Sequence, residues 1–474
     1  MTEEKYVADP RRWKALAVCM AGAFIAMLDI SIVNVALPSI EAGLHAGSAQ
    51  VQLIVAGYTL ALALLVVPMG RLGDVYGRRN MFAVGIAGFG LASLGAGLAP
   101  NATVLAAMRV LQGCFAGVQN PQVTGIIQQL FRGAERGKAF GFMGALIGIA
   151  TAVGPIAGGS IIALFGAAEG WRWVFFINVP VVAVVVPLAL KLMPKPEPRS
   201  GTAYLDLPGV AIVGLATASF MVPFIFSGTE GGDALPAWRW GFLPLAAVLI
   251  FALTKWEQAY HARTNSAVFD PQLLRNLGFR FGVGIGGLYF AGFTSTFLIV
   301  TMVLQQGLGY TPLQAGLVGV PFAIGSGLSS QFAGRVITRY GRKLVVIALC
   351  VVLVGLLTID MVMRFAPEAH FGWILAIVMF CTGSGAGAVI SPNQTLTLTH
   401  VPPRMGGVAG AVLTVGQQLG GAIGMSIVLS GFFAGIPTLG PRLAAAQTLL
   451  VGVAIITLTL LVAIFDMRRR QQQS

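Results

Sequence analysis

Two residues conflict with their surroundings. Asp29 lies in the run Met27-Leu28-Asp29-Ile30 and Arg109 in Ala107-Met108-Arg109-Val110, each inside a long apolar stretch. A charged carboxylate at the centre of a bilayer costs on the order of 2.5–3.5 kcal/mol on insertion scales, so the neutral, proton-bearing form is favoured there. Such a group can load a proton on one side of a membrane and release it on the other. The alternative is a carboxyl held by helix–helix hydrogen bonds that never cycles. A nearby arginine would hold the acid in its charged form when close and let it go when water or substrate intervenes, the differential interaction that coupling requires. Its alternative is a structural anchor for the helices around it.

Helices that cross a membrane must position this pair. The chain of 474 residues is 56% hydrophobic and only 10% charged, against about 25% charged in a soluble domain. Its apolar residues fall in runs of about twenty, the length that crosses about 30 Å of hydrocarbon as helix. The runs do not alternate polar with apolar, which excludes a barrel and leaves an all-α membrane protein. Glu3, Glu4 and Asp9 precede the first run and no cleavage pattern ends it, so the N-terminus reads as retained. Cys19, Cys114, Cys350 and Cys381 all fall in apolar runs without CxxC spacing, which supports neither disulfides nor a metal site. No cofactor is expected.

Fourteen spans are read at 14–37, 51–69, 81–99, 103–125, 138–165, 173–193, 207–227, 239–256, 279–301, 313–333, 343–363, 371–392, 405–432 and 445–466. The formal charge of +13 does not point to nucleic acid, because 25 of the 30 basic residues lie in the termini or in alternate loops. The positive-inside rule then places both termini in the cytoplasm of a cell inner (plasma) membrane, with the basic loops near anionic lipids. Asp29 and Arg109 lie about 12 Å and about 9 Å below the same face, depths compatible with pairing. The loops are too short for a soluble catalytic domain, and Gly133 to Lys138 has the wrong spacing for a P-loop. Direct ATP-driven pumping and enzymatic function are disfavoured.

The chain repeats itself. Gly70-Arg-Leu-Gly-Asp-Val-Tyr-Gly-Arg-Arg79 aligns without gaps to Gly334-Arg-Val-Ile-Thr-Arg-Tyr-Gly-Arg-Lys343, and Val153 to Gly159 aligns to Val415 to Gly421. Two homologous six-span halves follow, residues 1–200 and 266–474, with residues 201–265 as an inserted two-helix hairpin. Parallel repeats of this kind place a substrate site at the midplane between the halves. Asp74 is expected to cap or bridge to a neighbouring helix end, with Arg78 and Arg79 holding the cytoplasmic face, so that the loop works as a latch on the inward-closed state. Gly154, Pro155, Gly158 and Gly159 remove side chains and one backbone donor from the fifth span, permitting close approach and a kink. Plain helix packing is the alternative.

At these motifs the sequence resembles the major facilitator superfamily, and its fourteen-span drug:proton antiporter family in particular. Leu28 to Pro38 looks like that family's span 1 signature, Gly70 to Arg79 like its loop signature, and Arg109-Val-Leu-Gln-Gly113 like its span 4 motif. Gly154-Pro155 with Gly158-Gly159 resembles the antiporter motif, and Trp171 to Pro180 extends the likeness. The resemblance implies a major facilitator fold with two extra transmembrane helices, and gating by the glycines of the fifth span through the shape of the closed interface. In the second copy Thr338 stands at the Asp74 position, Ile337 at the Gly73 position and Gln417 at the Pro155 position. That degeneracy places the coupling chemistry, by implication, in the N-terminal half.

Neutral polar residues in apolar spans are the candidate substrate lining: Gln112, Gln119, Asn120, Asn393, Gln394 and Gln417, each of which needs a partner in hydrocarbon. Interhelical glue is the alternative for any one of them. Met27, Tyr58, Tyr289 and Phe290 could give apolar and cation–π contacts, with core packing as the alternative. Asp360 reads as an acid of the outer vestibule. The expected function is proton-coupled export of small amphipathic compounds by a monomer working through alternating access. An exporter of one metabolite or lipid, a proton symporter and a non-transporting membrane sensor are the rivals.

Overall fold

The computed structural model describes residues 9–166, 168–195, 206–225, 237–264, 273, 276–399, 401–402 and 405–473. The described residues are helical and contain no strand. The helices are α1 (Arg12–Leu44), α2 (Ser48–Tyr76), α3 (Arg78–Gly97), α4 (Ala102–Leu130), α5 (Gly133–Phe165), α6 (Gly170–Phe176) and α7 (Asn178–Leu192). After them come α8 (Leu207–Ile225), α9 (Phe242–Thr264), α10 (Leu277–Met302), α11 (Pro312–Tyr340), α12 (Arg342–Phe365), α13 (Phe371–Thr397) and α14 (Gly406–Gln473). Eleven helical segments among the described residues are long and apolar enough to cross a membrane, with α6 and α7 joined as one. The Gly- and Ser-rich α11 and the short α8 fall outside that set.

At 68 residues α14 would be about 100 Å long as a rod, over three times the hydrocarbon thickness. It breaks at Gly440, whose φ of 73° is a conformation that glycine reaches without a Cβ clash. The two arms then run antiparallel. A Cβ on Gly435 would stand 3.1 Å from Ala444, and one on Gly431 would stand 3.0 Å from Thr448.

Two large apolar cores form. One gathers Leu16, Ile32, Tyr58, Phe82, Phe89, Phe140 and Trp171 from α1 to α7. The other gathers Ile285, Phe322, Leu349, Leu375, Phe432 and Ile456 from α10 to α14. They meet along two seams. In one, α5 lies on α11: a Cβ on Gly137 would come 2.5 Å from the Gly334 carbonyl, and Ser330 Oγ donates to the Gly141 carbonyl at 2.9 Å. In the other, α2 crosses the start of α14, where a Cβ on Gly70 would stand 2.8 Å from the Gly407 carbonyl. The hairpin of α8 and α9 lies beside this second seam, with Val213 packed among Val66, Val67 and Ala411. Trp256 Nε1 donates to Asp206 Oδ1 at 2.8 Å, tying α9 to the start of α8.

Candidate functional site: a buried ion pair and a two-sided latch

The structure brings Asp29 and Arg109 together. Asp29 is 1% and Arg109 2% exposed, and Arg109 Nη1 donates to Asp29 Oδ2 at 2.5 Å. The second carboxylate oxygen accepts from Asn178 Nδ2 at 2.8 Å and from Gln112 Nε2 at 3.3 Å. Both amides also donate to Ser93 Oγ, at 2.7 Å from Gln112 and 3.2 Å from Asn178. The guanidinium is itself held: Nη1 donates to Gln112 Oε1 at 3.0 Å and Nε to the Ile54 carbonyl at 3.1 Å. Its carbon sits 4.4 Å from the centre of the Tyr58 ring. Helices α1, α2, α3, α4 and α7 thus converge on one charge-neutral pair whose polar atoms are matched, the condition for keeping an ion pair in low dielectric.

Close helix approach makes this possible. A Cβ on Gly113 would run into the Tyr58 carbonyl, so only glycine lets α4 come near enough to α2 for Arg109 to reach over Tyr58. The sequence places Asp29 and Arg109 at one depth, and depth follows from counting residues. Ser93 and Asn178 enter only with the structure. Asn178 offered a signal, as an amide between Ile177 and Val179 in an apolar span; Ser93 offered none.

The residues expected to form a latch also come together, apart from Arg79. Asp74 accepts from the backbone N–H of Gly407 at 3.2 Å and of Val408 at 3.1 Å, capping the N-terminus of α14 across the second seam. Arg78 donates to the same carboxylate from Nε at 3.0 Å and Nη2 at 2.7 Å, and from Nη1 to the Gly125 carbonyl at 2.6 Å. Arg79 lies apart, donating to the Leu190 carbonyl at 3.3 Å. A second grip, absent from the sequence reading, sits beside it: a Cβ on Gly406 would stand 2.8 Å from Gln128 and 3.5 Å from Arg78. Gln128 Nε2 and Arg136 Nη1 both donate at 3.3 Å to the carbonyl of Leu398, the C-cap residue just after α13. A carboxylate on a helix N-terminus and a guanidinium on a helix C-terminus both complement the helix dipole. Both grips reach from the first core to the residue after α13 and the first turn of α14, on the face where α1 begins and α14 ends.

In α5, Gly154 and Gly158 face α1: a Cβ on Gly154 would strike Ser31, and one on Gly158 would stand 3.2 Å from the Ile32 carbonyl. Gly159 faces open space, and Pro155 packs 3.0 Å from the Cβ position of Gly316 in α11. The helix continues through Pro155 without interruption.

The candidate lining residues divide. Met27, Asn120, Phe290 and Gln417 are half-buried. Tyr58 and Gln112 belong to the Asp29 cluster; Gln119 donates to the Gly22 carbonyl at 3.3 Å. Asn393 accepts from Arg342 Nη1 at 2.6 Å and donates to the Gly282 carbonyl at 2.9 Å. Tyr289 stacks on Phe293, which stacks on Phe322, at 5.4 and 5.6 Å between ring centres. The Tyr289 hydroxyl and Gln394 Oε1 are buried with no hydrogen-bond partner.

Besides Arg78, which is buried on Asp74 instead of holding the cytoplasmic face near headgroups, two charged groups differ from the sequence reading. Asp360 is 2% exposed, bound by Arg364 one turn on at 2.9 and 3.0 Å; an i,i+4 arginine lets the acid fold inward instead of facing a vestibule. Arg342, counted among the loop charges, is the first residue of α12 and is buried, with Nε donating to Asp466 Oδ2 at 2.8 Å. That second ion pair joins α12 to the end of α14.

Two helical cores joined along small-residue seams, with an ion pair sealed inside one of them, define a helical membrane protein built to hold charge out of water. The chain belongs to the Major Facilitator Superfamily of membrane transporters, which matches it over residues 19–228, 207–425 and 281–474. Among its relatives, a puromycin resistance protein of Streptomyces alboniger is 33% identical over 89% of this chain and 82% of its own length. A probable actinorhodin transporter of Streptomyces coelicolor is 32% identical over 89% of this chain and 73% of its own. In fold, the chain is similar to a human organic anion transporter, with a TM-score of 0.70 at 16% identity over 96% of this chain and all of that one.

Proposed function

We propose that this protein is a proton-driven exporter of small lipophilic or singly charged compounds, working as a monomer by alternating access of two bundles. The observation that carries the reading is the Asp29–Arg109 pair, sealed at 1% and 2% exposure inside the N-terminal bundle. Protonation of Asp29 removes the charge that Arg109 attracts, so α1 and α4 are released from one another and the bundle gains a second arrangement. Deprotonation restores the pair. A membrane potential supplies about 2.3 kcal/mol per charge per 100 mV, enough for one inward proton to sustain on the order of a fiftyfold gradient of a neutral substrate; a singly charged cation exchanged for one proton moves no net charge and is driven by the pH difference alone. The relatives named for antibiotic resistance and transport support drug-like cargo.

In this reading the chain crosses an inner membrane fourteen times with both termini cytoplasmic: eleven apolar helical segments, α8, α11 and the second arm of α14. Residues 1–200 and 266–474 form the two bundles and 201–265 the inserted hairpin. Asp74 with Gly70 and Arg78, the Gln128–Arg136 grip, and Gly154, Pro155 and Gly158 control closure. Direct substrate contact narrows to the half-buried Met27, Asn120, Phe290 and Gln417, with the unpartnered Tyr289 hydroxyl and Gln394 as the polar groups a substrate could satisfy.

The test is proton movement by purified protein in proteoliposomes on addition of puromycin and of actinorhodin, the compounds in the names of two relatives. Compound-dependent proton flux that disappears in Asp29→Asn is expected. Compound transport with no proton movement in either protein would make it a uniporter or couple it to another ion.

A further inference from the structure

Outside the ion pair and the seams, one concave feature stands on the outer surface of the N-terminal bundle. A groove of about 510 Å³ runs between α1 and α7, lined by Ala17, Val18 and Ala21 on one side and by Pro180, Val184 and Leu188 on the other, with Val181 and Val185. Its volume is that of sites that hold small organic molecules, but its walls offer no polar side chain. The groove exists because Ala17 and Ala21 carry only a methyl group where α1 faces α7.

The two helical stripes that line it end in cations. On α1, Ala17, Val18 and Ala21 continue one turn earlier to Lys14, the i,i+3,i+4,i+7 spacing of one helix face. On α7, Val181, Val184 and Leu188 continue to Lys191 in the last turn of the helix. Both lysines are exposed. From Pro180 to Lys191 is about 16 Å along the helix, close to half of a hydrocarbon layer about 30 Å thick. The groove therefore spans one leaflet, with its charged mouth at headgroup height. Trp13, partly exposed beside Lys14, marks the same level.

We infer that this groove seats one acyl chain of an anionic phospholipid whose headgroup lies between Lys14 and Lys191. An apolar slot one leaflet deep accepts the chain, and two lysines that reach up to the headgroup layer select the charge. None of its lining residues belongs to the Asp29 cluster or to the residues proposed to contact substrate.

Native mass spectrometry of the full chain, released from micelles holding equal amounts of phosphatidylglycerol and phosphatidylcholine with the same 16-carbon chains, tests this. Preferential retention of phosphatidylglycerol is expected. Each lysine near an anionic headgroup is worth about fivefold, so Lys14→Gln with Lys191→Gln should cut that preference about thirtyfold. Ala21→Phe, which fills the slot, should reduce retention of both lipids, and Lys343→Gln, at an exposed remote lysine, should change neither. An unchanged phosphatidylglycerol preference in the double lysine variant would overturn the inference, as would unchanged retention in Ala21→Phe. Thermal melts of each variant establish that a loss of lipid is not a loss of fold.

Discussion

Replacing Asp74 by Asn keeps the shape of the latch and removes its charge. In the parent, one carboxylate receives two backbone N–H groups of α14 and two guanidinium contacts from Arg78. Hydrogen bonds to a charged group contribute about 1.5–3 kcal/mol, roughly twice a neutral one, and the helix-terminus charge adds about 0.3–1 kcal/mol. An Asn side chain retains one neutral acceptor for Gly407 or Val408, so about half of the cross-seam interaction is lost, on the order of 2 kcal/mol. Arg78 stays anchored on the Gly125 carbonyl, which preserves the N-terminal bundle. The latch side should then open about thirtyfold more often. Thr124, buried against Gly410 in the same seam, reports this as Thr124→Cys in a background without the four native cysteines. Its labelling by a membrane-impermeant maleimide from the terminus-bearing side should accelerate tenfold to a hundredfold in Asp74→Asn. A change below twofold in a folded variant would refute the claim that Asp74 holds the seam.

Further substitutions follow from the packing. Gly137→Val places a branched side chain against the Gly334 carbonyl and Ile337; overpacking of about 1–3 kcal/mol should open the α5–α11 seam and raise the same labelling rate. Gly113→Ala drives a methyl group into the Tyr58 carbonyl and should lower the melting temperature by several degrees with loss of transport, whereas Gly159→Ala, which meets no neighbour within 4 Å, should change neither. Arg342→Gln strips Asp466 of its buried partner, leaving only the partly exposed Arg470. Breaking a buried pair costs about 3–5 kcal/mol, so thermal stability should fall sharply, and Arg342→Lys should recover part of it.

Asp29 and Arg109 were legible in the sequence because a lone charge in an apolar run has no bland environment, and its depth can be counted at 1.5 Å per residue. Asp74 was legible as a cap, since a carboxylate beside a Gly-rich turn seeks backbone donors. Its partners Gly407 and Val408 were not, because they lie more than 300 residues away and a glycine carries no mark of what approaches it. The ion pair of Arg342 with Asp466 was hidden for a different reason. Charges at the ends of spans look like loop charges, and only the tertiary fold decides whether they turn inward. Arg136 and Gln128 were hidden likewise, because their target is the Leu398 carbonyl and every residue has a carbonyl. The reversal at Gly440 agrees with the gap read between residues 432 and 445, where Pro437, Gly440 and Pro441 interrupt the apolar run.

The central claim is that Asp29 carries the coupling proton, and substrate exchange against uphill transport tests it most directly. Proteoliposomes holding Asp29→Asn should still exchange labelled for unlabelled copies of a compound that moves protons through the unsubstituted protein, since binding and alternation need no proton step in a neutral variant. They should fail to accumulate that compound against a gradient under an imposed pH difference that drives the unsubstituted protein. Uphill accumulation by Asp29→Asn at the parent level would place the proton elsewhere and contradict the account.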